Sequence, residues 1–291
     1  MKLSNNVVVV VAHNKNIKYL EKFKKNLSLE KSNFDVIIFC DNVFKQLDSQ
    51  DNLIFVKIKK KISPIQVRSY LINYLLKKNY LNVMFCDLED FFKYKRVIAT
   101  FKNLKKYDIV FNNINLLKNK KIIKKNIFSN FFKSNAKISF NNVVDSNFFG
   151  FGNTGVKVKM LKSIKIPKNI IAADWWIFTL MTFKTKKIKF MRNISTNYRL
   201  DETNLLGINK KINKKKLKIL INIKFFHYLN ITKYCNNFSF NYEKKIYKKK
   251  LKNFKILRLK VQNQNFLKKL IKKINKRKLT FFNGWFSELT Y

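Results

Sequence analysis

The chain is poor in several residue types at once. It has five glycines and two prolines in 291 residues, which excludes collagen-like and Pro/Gly low-complexity chains. Its three cysteines, Cys40, Cys86 and Cys235, stand far apart with no C-x-x-C pair. That spacing excludes a disulfide framework and a cysteine-based zinc site, and it suits a reducing cytoplasm. The two histidines, His13 and His227, belong to no serine, cysteine or histidine grouping of the kind a nucleophilic triad needs. Arginine supplies only six of the 63 basic residues, and there are only 16 acids. No run approaches the ~20 uncharged apolar residues of a membrane-spanning helix. Val7–Ala12 is too short for a signal-peptide core, so no targeting segment is expected.

What is abundant is lysine, asparagine, isoleucine and phenylalanine. The formal net charge is +47, yet apolar residues make up 46% and phenylalanine alone 29 positions, enough for a sizeable core. A disordered polycation lacks such aromatic content. The lysines run along the whole chain rather than along one face, and arginine for bidentate base contacts is scarce. The abundant residues share A/T-rich codons, so the charge reads mainly as compositional background, and a nucleic-acid partner is not expected. Attraction to anionic surfaces remains a physical consequence of the charge.

Short apolar runs alternate with helix-period segments through the first half. Val7–Ala12, Asp35–Cys40, Leu53–Ile58 and Leu81–Cys86 read as strands buried on both faces, and Asp108–Phe111 as a fifth. Leu20, Phe23 and Leu27 recur at helical spacing, and Ser63-Pro64 opens a second helix to about Lys78 as N-cap and first residue. This alternation predicts an α/β fold with a mostly parallel sheet flanked by helices. Ile138–Phe151 is strand-like, Gly152–Gly155 reads as a turn, Val156–Ile164 and Ala172–Phe183 as helices, and Ile188–Met191 as a short strand. Beyond Gly207 the composition shifts to Lys-rich helical patterns, with Glu243 and Glu288 the only acids. A boundary near 206 therefore separates residues 1–206 from a basic, mainly helical extension, 207–291.

In so acid-poor a chain the acids carry information. Asp87, Glu89 and Asp90 fall within four positions, directly after the strand LNVMFC. Ligand sites of open α/β sheets lie at such carboxyl ends. Clustered carboxylates repel unless a cation joins them, and hard oxygen donors suit Mg²⁺ or Mn²⁺ shared with substrate phosphates. The ordinary alternative is a solvated turn with Asp90 as an N-cap. Asp41 follows the second strand, where it suits a ribose or base contact or an Asx turn. Asp174, in Ala172–Trp176, suits a helix N-cap or a general base. Tyr198–Asn204 mixes an aromatic, a cation, two acids and an amide in a loop after a strand. His13, at the end of the first strand, is placed for a substrate contact.

These clusters, in this order, resemble the family 2 glycosyltransferases of the GT-A fold. Val7–Asn14 is similar to that family's first strand with its closing "P-x-Y-N" segment, and Leu27-Ser28-Leu29 to the "S-L" of the following helix. Asp41 stands at the family's base-contacting Asp, and Arg68 resembles the Arg of its "R-N" segment. Asp87-Leu88-Glu89-Asp90 looks like the "D-x-D-D" metal and nucleotide-sugar motif. Ala173-Asp174-Trp175 looks like the "E-D" catalytic-base motif, and Tyr198–Asn204 is similar to "Y-R-x-H-x-x-N". The resemblance covers roughly residues 5–207. Glu89, Ala173 and Asp201 depart from the pattern at the second metal-site acid, the acid before the base and the histidine.

The resemblance implies an inverting, metal-assisted sugar transfer from a nucleotide-diphosphate sugar to a hydroxyl of a glycan or lipid-linked glycan. Asp87 and Glu89 would hold Mg²⁺ or Mn²⁺, and Asp174 would be the catalytic base. Asp41, Arg68, Asp87, Tyr198 and Arg199 would bind the donor, with Asp90, Asp201 and His13 as secondary candidates. The place implied is the cytoplasm, with a peripheral contact to the inner face of an anionic membrane through the basic helix around Phe266–Lys273. A nucleotidyltransferase of similar fold is the alternative enzyme, but no Gly-rich phosphate loop stands near the first strand. A non-enzymatic basic nucleic-acid or surface-binding protein is the alternative outside catalysis.

Overall fold

Five successive valines and an alanine leave little choice but a strand buried on both faces, and β1 (Asn6–Ala12) buries all six of them. The computed structural model describes residues 4–12, 16–27, 33–41, 52–58, 62–133, 135–200 and 212–276. The chain divides into two compact units. One takes residues 1–139, 149–164 and 184–200, and the other takes 140–148, 165–183 and 201–291.

In the first unit a short 3₁₀ turn (Ile17–Tyr19) leads into α1 (Leu20–Leu27), which buries Leu20, Phe23 and Leu27 at helical spacing. β2 (Asp35–Asp41) and β3 (Leu53–Ile58) follow, then α2 (Pro64–Lys77). The start of α2 is a full capping box. The Ser63 hydroxyl accepts from Gln66 N–H at 3.3 Å, and the Gln66 side chain accepts from Ser63 N–H at 2.8 Å. β4 (Asn82–Asp87), the two-residue β5 (Phe91–Phe92), α3 (Lys95–Leu104) and the long β6 (Ile109–Lys118) continue the chain. A two-residue turn at Asn119 and Lys120, both with positive φ, folds β7 (Lys121–Lys124) back on β6. β8 (Thr154–Lys157) and β9 (Ile188–Arg199) complete the sheet.

The strand order is β3-β2-β1-β4-β8-β6-β9-β5, with β7 paired to β6. The β3-β2-β1-β4 half is parallel; β8 runs antiparallel to both β4 and β6, while β9 is parallel to β6. The carboxyl ends of β1 and β4 therefore lie side by side, with Val11 opposite Asp87. Cys40, Cys86 and Cys235 are buried and form no disulfide.

Four expectations need correcting. The short strand expected at Ile188–Met191 is the long β9, which takes Tyr198 and Arg199 out of the expected loop and into the sheet. Residues Ile138–Phe151 form no strand: α4 (Phe140–Val143) and irregular turns occupy them. Their Phe and Val side chains are buried from irregular backbone, so aromatic enrichment there reflects burial rather than pleating. The Gly152–Gly155 turn ends at Asn153, and Thr154 and Gly155 already belong to β8. The expected helix at Val156–Ile164 is the end of β8 followed by a 3₁₀ turn at Val158–Leu161. Gly155 is required by close packing: a Cβ there would lie 2.4 Å from Thr100 Cγ2 of α3.

The second unit holds α4, α5 (Ala173–Lys184, up to Phe183), α6 (Lys214–Asn237), α7 (Asn241–Lys260) and α8 (Gln264–Lys276). Tyr228, Tyr247 and Phe254 pack in its core with ring centroids 5.3–5.8 Å apart. Among the described residues no helix is long and apolar enough to cross a membrane.

Candidate functional site

β4 ends in Asp87, and the chain turns at once: Asp90 N–H donates to Asp87 O at 3.1 Å. Buried Leu88 anchors this turn. β5 then pairs with β9, Phe91 opposite Asn197 and Phe92 opposite Thr196. That pairing brings Arg199 to the turn. Arg199 N–H donates to Asp90 Oδ1 at 3.1 Å, and its Nε donates to Glu89 O at 3.2 Å. The guanidinium lies 4.6 Å from the centre of the Tyr19 ring.

Asp90 is only 4% exposed, and its Oδ2 has no hydrogen-bond partner. Burial, with the neighbouring Asp87 and Glu89 charges, pushes its carboxyl well above the usual range, against the Arg199 N–H and the Arg96 charge. Opposite stands Gly152. A Cβ on that residue would lie 2.5 Å from Asp90 Oδ2 and 2.9 Å from Asp87 Oδ2. Among the described residues no glycine has positive φ, so Gly152 is required for room and not for backbone conformation. Two carboxylate oxygens thus converge at the end of a central parallel strand, one of them buried and unsatisfied.

Such a pair fits a hard divalent cation. Among the described residues no group of three or more His, Cys, Asp or Glu gathers in a metal-holding arrangement. Two carboxylates leave most positions to water and to substrate phosphate, as Mg²⁺-type sites commonly do. Glu89 is turned elsewhere: its Oε2 accepts from Asn16 Nδ2 at 3.0 Å.

The other expected site residues are placed as follows. Arg68, on α2, stacks its guanidinium 4.1 Å from the centre of the Phe151 ring, which also meets Phe85 edge-on at 4.6 Å. Tyr198 is half-buried on β9, opposite Leu116. Asp41 closes β2, opposite Ile58, with only its backbone described. His13 and Asp201 lie outside the described residues.

Asp174 belongs to the second unit, in the first turn of α5. Its Oδ1 accepts from Trp175 N–H at 2.8 Å, and its Oδ2 accepts from Asn147 Nδ2 at 3.0 Å. Asn147 is buried, and its own Oδ1 has no partner. Trp175 is anchored by donating Nε1–H to Val143 O at 2.8 Å and by stacking on His227, 3.7 Å between centroids and 5° between planes. The structure brings Asp87, Asp90, Arg199 and the Glu89 backbone together, and within the second unit it gives Asp174 a hydrogen-bonded setting.

Sequence reasoning missed Gly152, Asn147 and the buried polar residues Arg96, Asn112 and Asn153. A signal existed for some of them. Arg96 is one of six arginines, and Asn112, Asn113 and Asn115 put three amides into the apolar run of β6.

No protein-family profile matches the chain, and no curated protein matches its sequence. Solved structures do match in fold. Residues 1–349 of S. aureus TarS in complex with UDP-GlcNAc align with a TM-score of 0.56 at 12% identity, over 77% of this chain and 66% of that one. The mannosyltransferase PcManGT from Pyrobaculum calidifontis, in complex with GDP-Man and Mn²⁺, aligns with a TM-score of 0.53 at 10% identity, over 79% of this chain and 65% of that one. Against a longer TarS structure the match spans 43% of that chain. The chain has the α/β fold of these glycosyltransferase structures, a sheet flanked by helices, as the alternation of strands and helices led us to expect.

Proposed function

We propose that this chain transfers a sugar from a nucleotide-diphosphate sugar to an acceptor hydroxyl, with inversion and with Mg²⁺ or Mn²⁺ at the acidic turn. The observation that carries this reading is the convergence of Asp87 and Asp90 on Gly152 at the carboxyl end of β4. TarS with UDP-GlcNAc and PcManGT with GDP-Man and Mn²⁺ are structures of the same fold with nucleotide sugars bound, which supports the same donor class.

In this reading Asp87 and Asp90 hold the cation, and Glu89, tied to Asn16, flanks it. A divalent cation there supplies neutralisation of the charge on the departing diphosphate. Arg199 presents a guanidinium at the same turn for a phosphate oxygen. Asp41, Arg68 and Tyr198 orient the nucleotide, and His13 and Asp201 are further contacts. Asp174 takes the proton of the acceptor hydroxyl as its oxygen attacks the anomeric carbon and the diphosphate leaves. Asn147 and Trp175 N–H fix that carboxylate. Residues 1–206 carry the transferase function, with 207–291 as a basic helical extension.

The acceptor we favour is a glycan or lipid-linked glycan, reached from the cytoplasmic side of an anionic membrane. Support for the membrane contact comes from α8, where Lys268, Lys269, Lys272 and Lys273 are exposed. Leu267 and Ile274 of that helix are buried, so the contact is one of charge rather than of an inserted apolar face.

The test is calorimetric titration of the chain with UDP- and GDP-sugars, with and without Mn²⁺. Saturable, Mn²⁺-dependent binding is expected. Binding of nucleoside triphosphates with pyrophosphate release, or only salt-sensitive binding to duplex nucleic acid, would overturn the reading.

A further inference from the structure

β6 carries two successive fully buried asparagines, and their amides turn to different neighbours. Asn113 donates to Ser129 Oγ at 2.7 Å and Arg192 O at 3.0 Å, and accepts from Phe128 N–H at 2.9 Å. Asn112 serves the acidic turn instead. Its Oδ1 accepts from Arg96 Nε at 2.9 Å, and its Nδ2 donates to Thr196 Oγ1 at 3.0 Å, opposite Phe92 of β5. Its backbone N–H donates to Asn153 O at 3.0 Å, and its carbonyl accepts from Asn153 Nδ2 at 3.2 Å. Asn153 Oδ1 in turn accepts from Gly150 N–H at 2.7 Å, which closes the turn carrying Gly152.

Arg96 is 1% exposed, and its hydrogen bonds go to neutral acceptors. Nη2 donates to Phe85 O at 2.8 Å and Nη1 meets Cys86 Sγ at 3.6 Å, while the guanidinium lies 4.7 Å from the centre of the Phe92 ring. It therefore grips the chain on both sides of Asp87–Asp90. Burying an arginine without a hydrogen-bonded carboxylate is costly unless nearby negative charge answers it. The acids of the turn are the available charge.

We propose that Arg96, Asn112 and Asn153 are positioning residues, a buried polar frame that holds the Asp87–Asp90 carboxylates and the Gly152 wall in register for a divalent cation. This rests on the reading of that pair as the cation site. One side of the frame fixes the backbone before and after the carboxylates. The other fixes the turn they face. Their spacing is thus set by three side chains that touch neither cation nor sugar.

The experiment is Mn²⁺ titration of the full chain, read by electron paramagnetic resonance beside thermal unfolding, without turnover. Asn112→Ala and Asn113→Ala both remove a fully buried amide from the same strand, and both should lower the melting temperature. Only Asn112→Ala should weaken Mn²⁺ affinity, by about tenfold or more, and change the bound-Mn²⁺ spectrum. Arg96→Lys and Asn153→Ser, milder changes that keep a charge or a polar group, should shift both in the same direction. If Asn112→Ala does not fold, these two decide. Folded frame variants that bind Mn²⁺ with wild-type affinity and spectrum overturn the inference alone. A wild-type chain that takes up no Mn²⁺ overturns the parent reading, and this one with it.

Discussion

Asp90 and Gly152 stand so close that a methyl group on the glycine would lie 2.5 Å from the buried Asp90 Oδ2. Nothing but hydrogen fits there. Gly152→Ala is therefore expected to push the carboxylates apart, costing about 1–3 kcal/mol of stability by overpacking. Mn²⁺-dependent donor binding should fall about tenfold or more. Calorimetry on the folded variant checks this, and unchanged Mn²⁺ affinity would remove the turn from the site.

Asp174→Asn should leave Mn²⁺-dependent donor binding intact and abolish transfer. Asn147→Leu, which removes the amide that donates to Asp174 Oδ2, should lower kcat about tenfold with little change in donor KM. Retained transfer in Asp174→Asn would retire its role as base. Parallel loss of donor binding in both variants would show a structural defect.

In the second unit, Lys224 is fully buried with Asp145 at 3.8 Å, and Asp145 also accepts from Tyr228 at 2.8 Å and from Lys250 at 2.5 Å. Burial pushes Asp145 up, but the Lys224 charge and the bonds from Lys250 and Tyr228 outweigh it and hold the carboxyl below its usual value. Its stabilisation is complete above the unfolded value near 3.8 and is lost as pH falls through the lower folded one. Asp145→Ala should cost about 3 kcal/mol at neutral pH by stranding Lys224, and Lys224→Met in the same chain should restore much of that. Denaturant titration of the two single variants and the pair checks the coupling.

His227 is buried with both ring nitrogens unpartnered, and burial, then the Lys224 charge, holds it well below 6.5. The folded state keeps it neutral while the unfolded state binds a proton below that value. Stability should therefore fall as pH drops below 6.5, by at most about 1.4 kcal/mol per pH unit from this residue. His227→Phe keeps a ring against Trp175 and should lose that part of the slope. Melting curves from pH 7.5 to 5 decide; equal slopes in both proteins would sink the assignment.

The legible parts of this fold were those where one residue type repeats for one reason. Val7–Ala12 had to be a buried strand, and Ser63-Pro64 had to start a helix. Asp87, Glu89 and Asp90 stood out because acids are rare, and the strand end they follow is where their turn forms. Which carboxylate meets Asp87 was not legible. That depends on the pairing of β5 with β9, a contact more than 100 residues distant in sequence. Phe140–Phe151 misled because a buried irregular segment and a buried strand are equally apolar, and periodicity does not separate them. Asn153 was invisible in a chain so rich in asparagine, and nothing in the sequence set Asn112 apart from Asn113 and Asn115 of the same strand.

The first unit leaves and re-enters itself twice, since residues 140–148 and 165–183 belong with 201–291. Cutting the chain after Leu200 is therefore not the removal of a domain. It strips α5 of the helices that receive Trp175 and leaves Asp145 without Tyr228 and Lys250. The same threading sets an order on the ribosome. β8 and β9 are each made only after an excursion into the other unit, so β6 gains β8 first and still waits for β9 while apolar α5 is already outside. A chaperone that shields the emerging chain between residues 140 and 200 would have more effect on yield than one acting at either end.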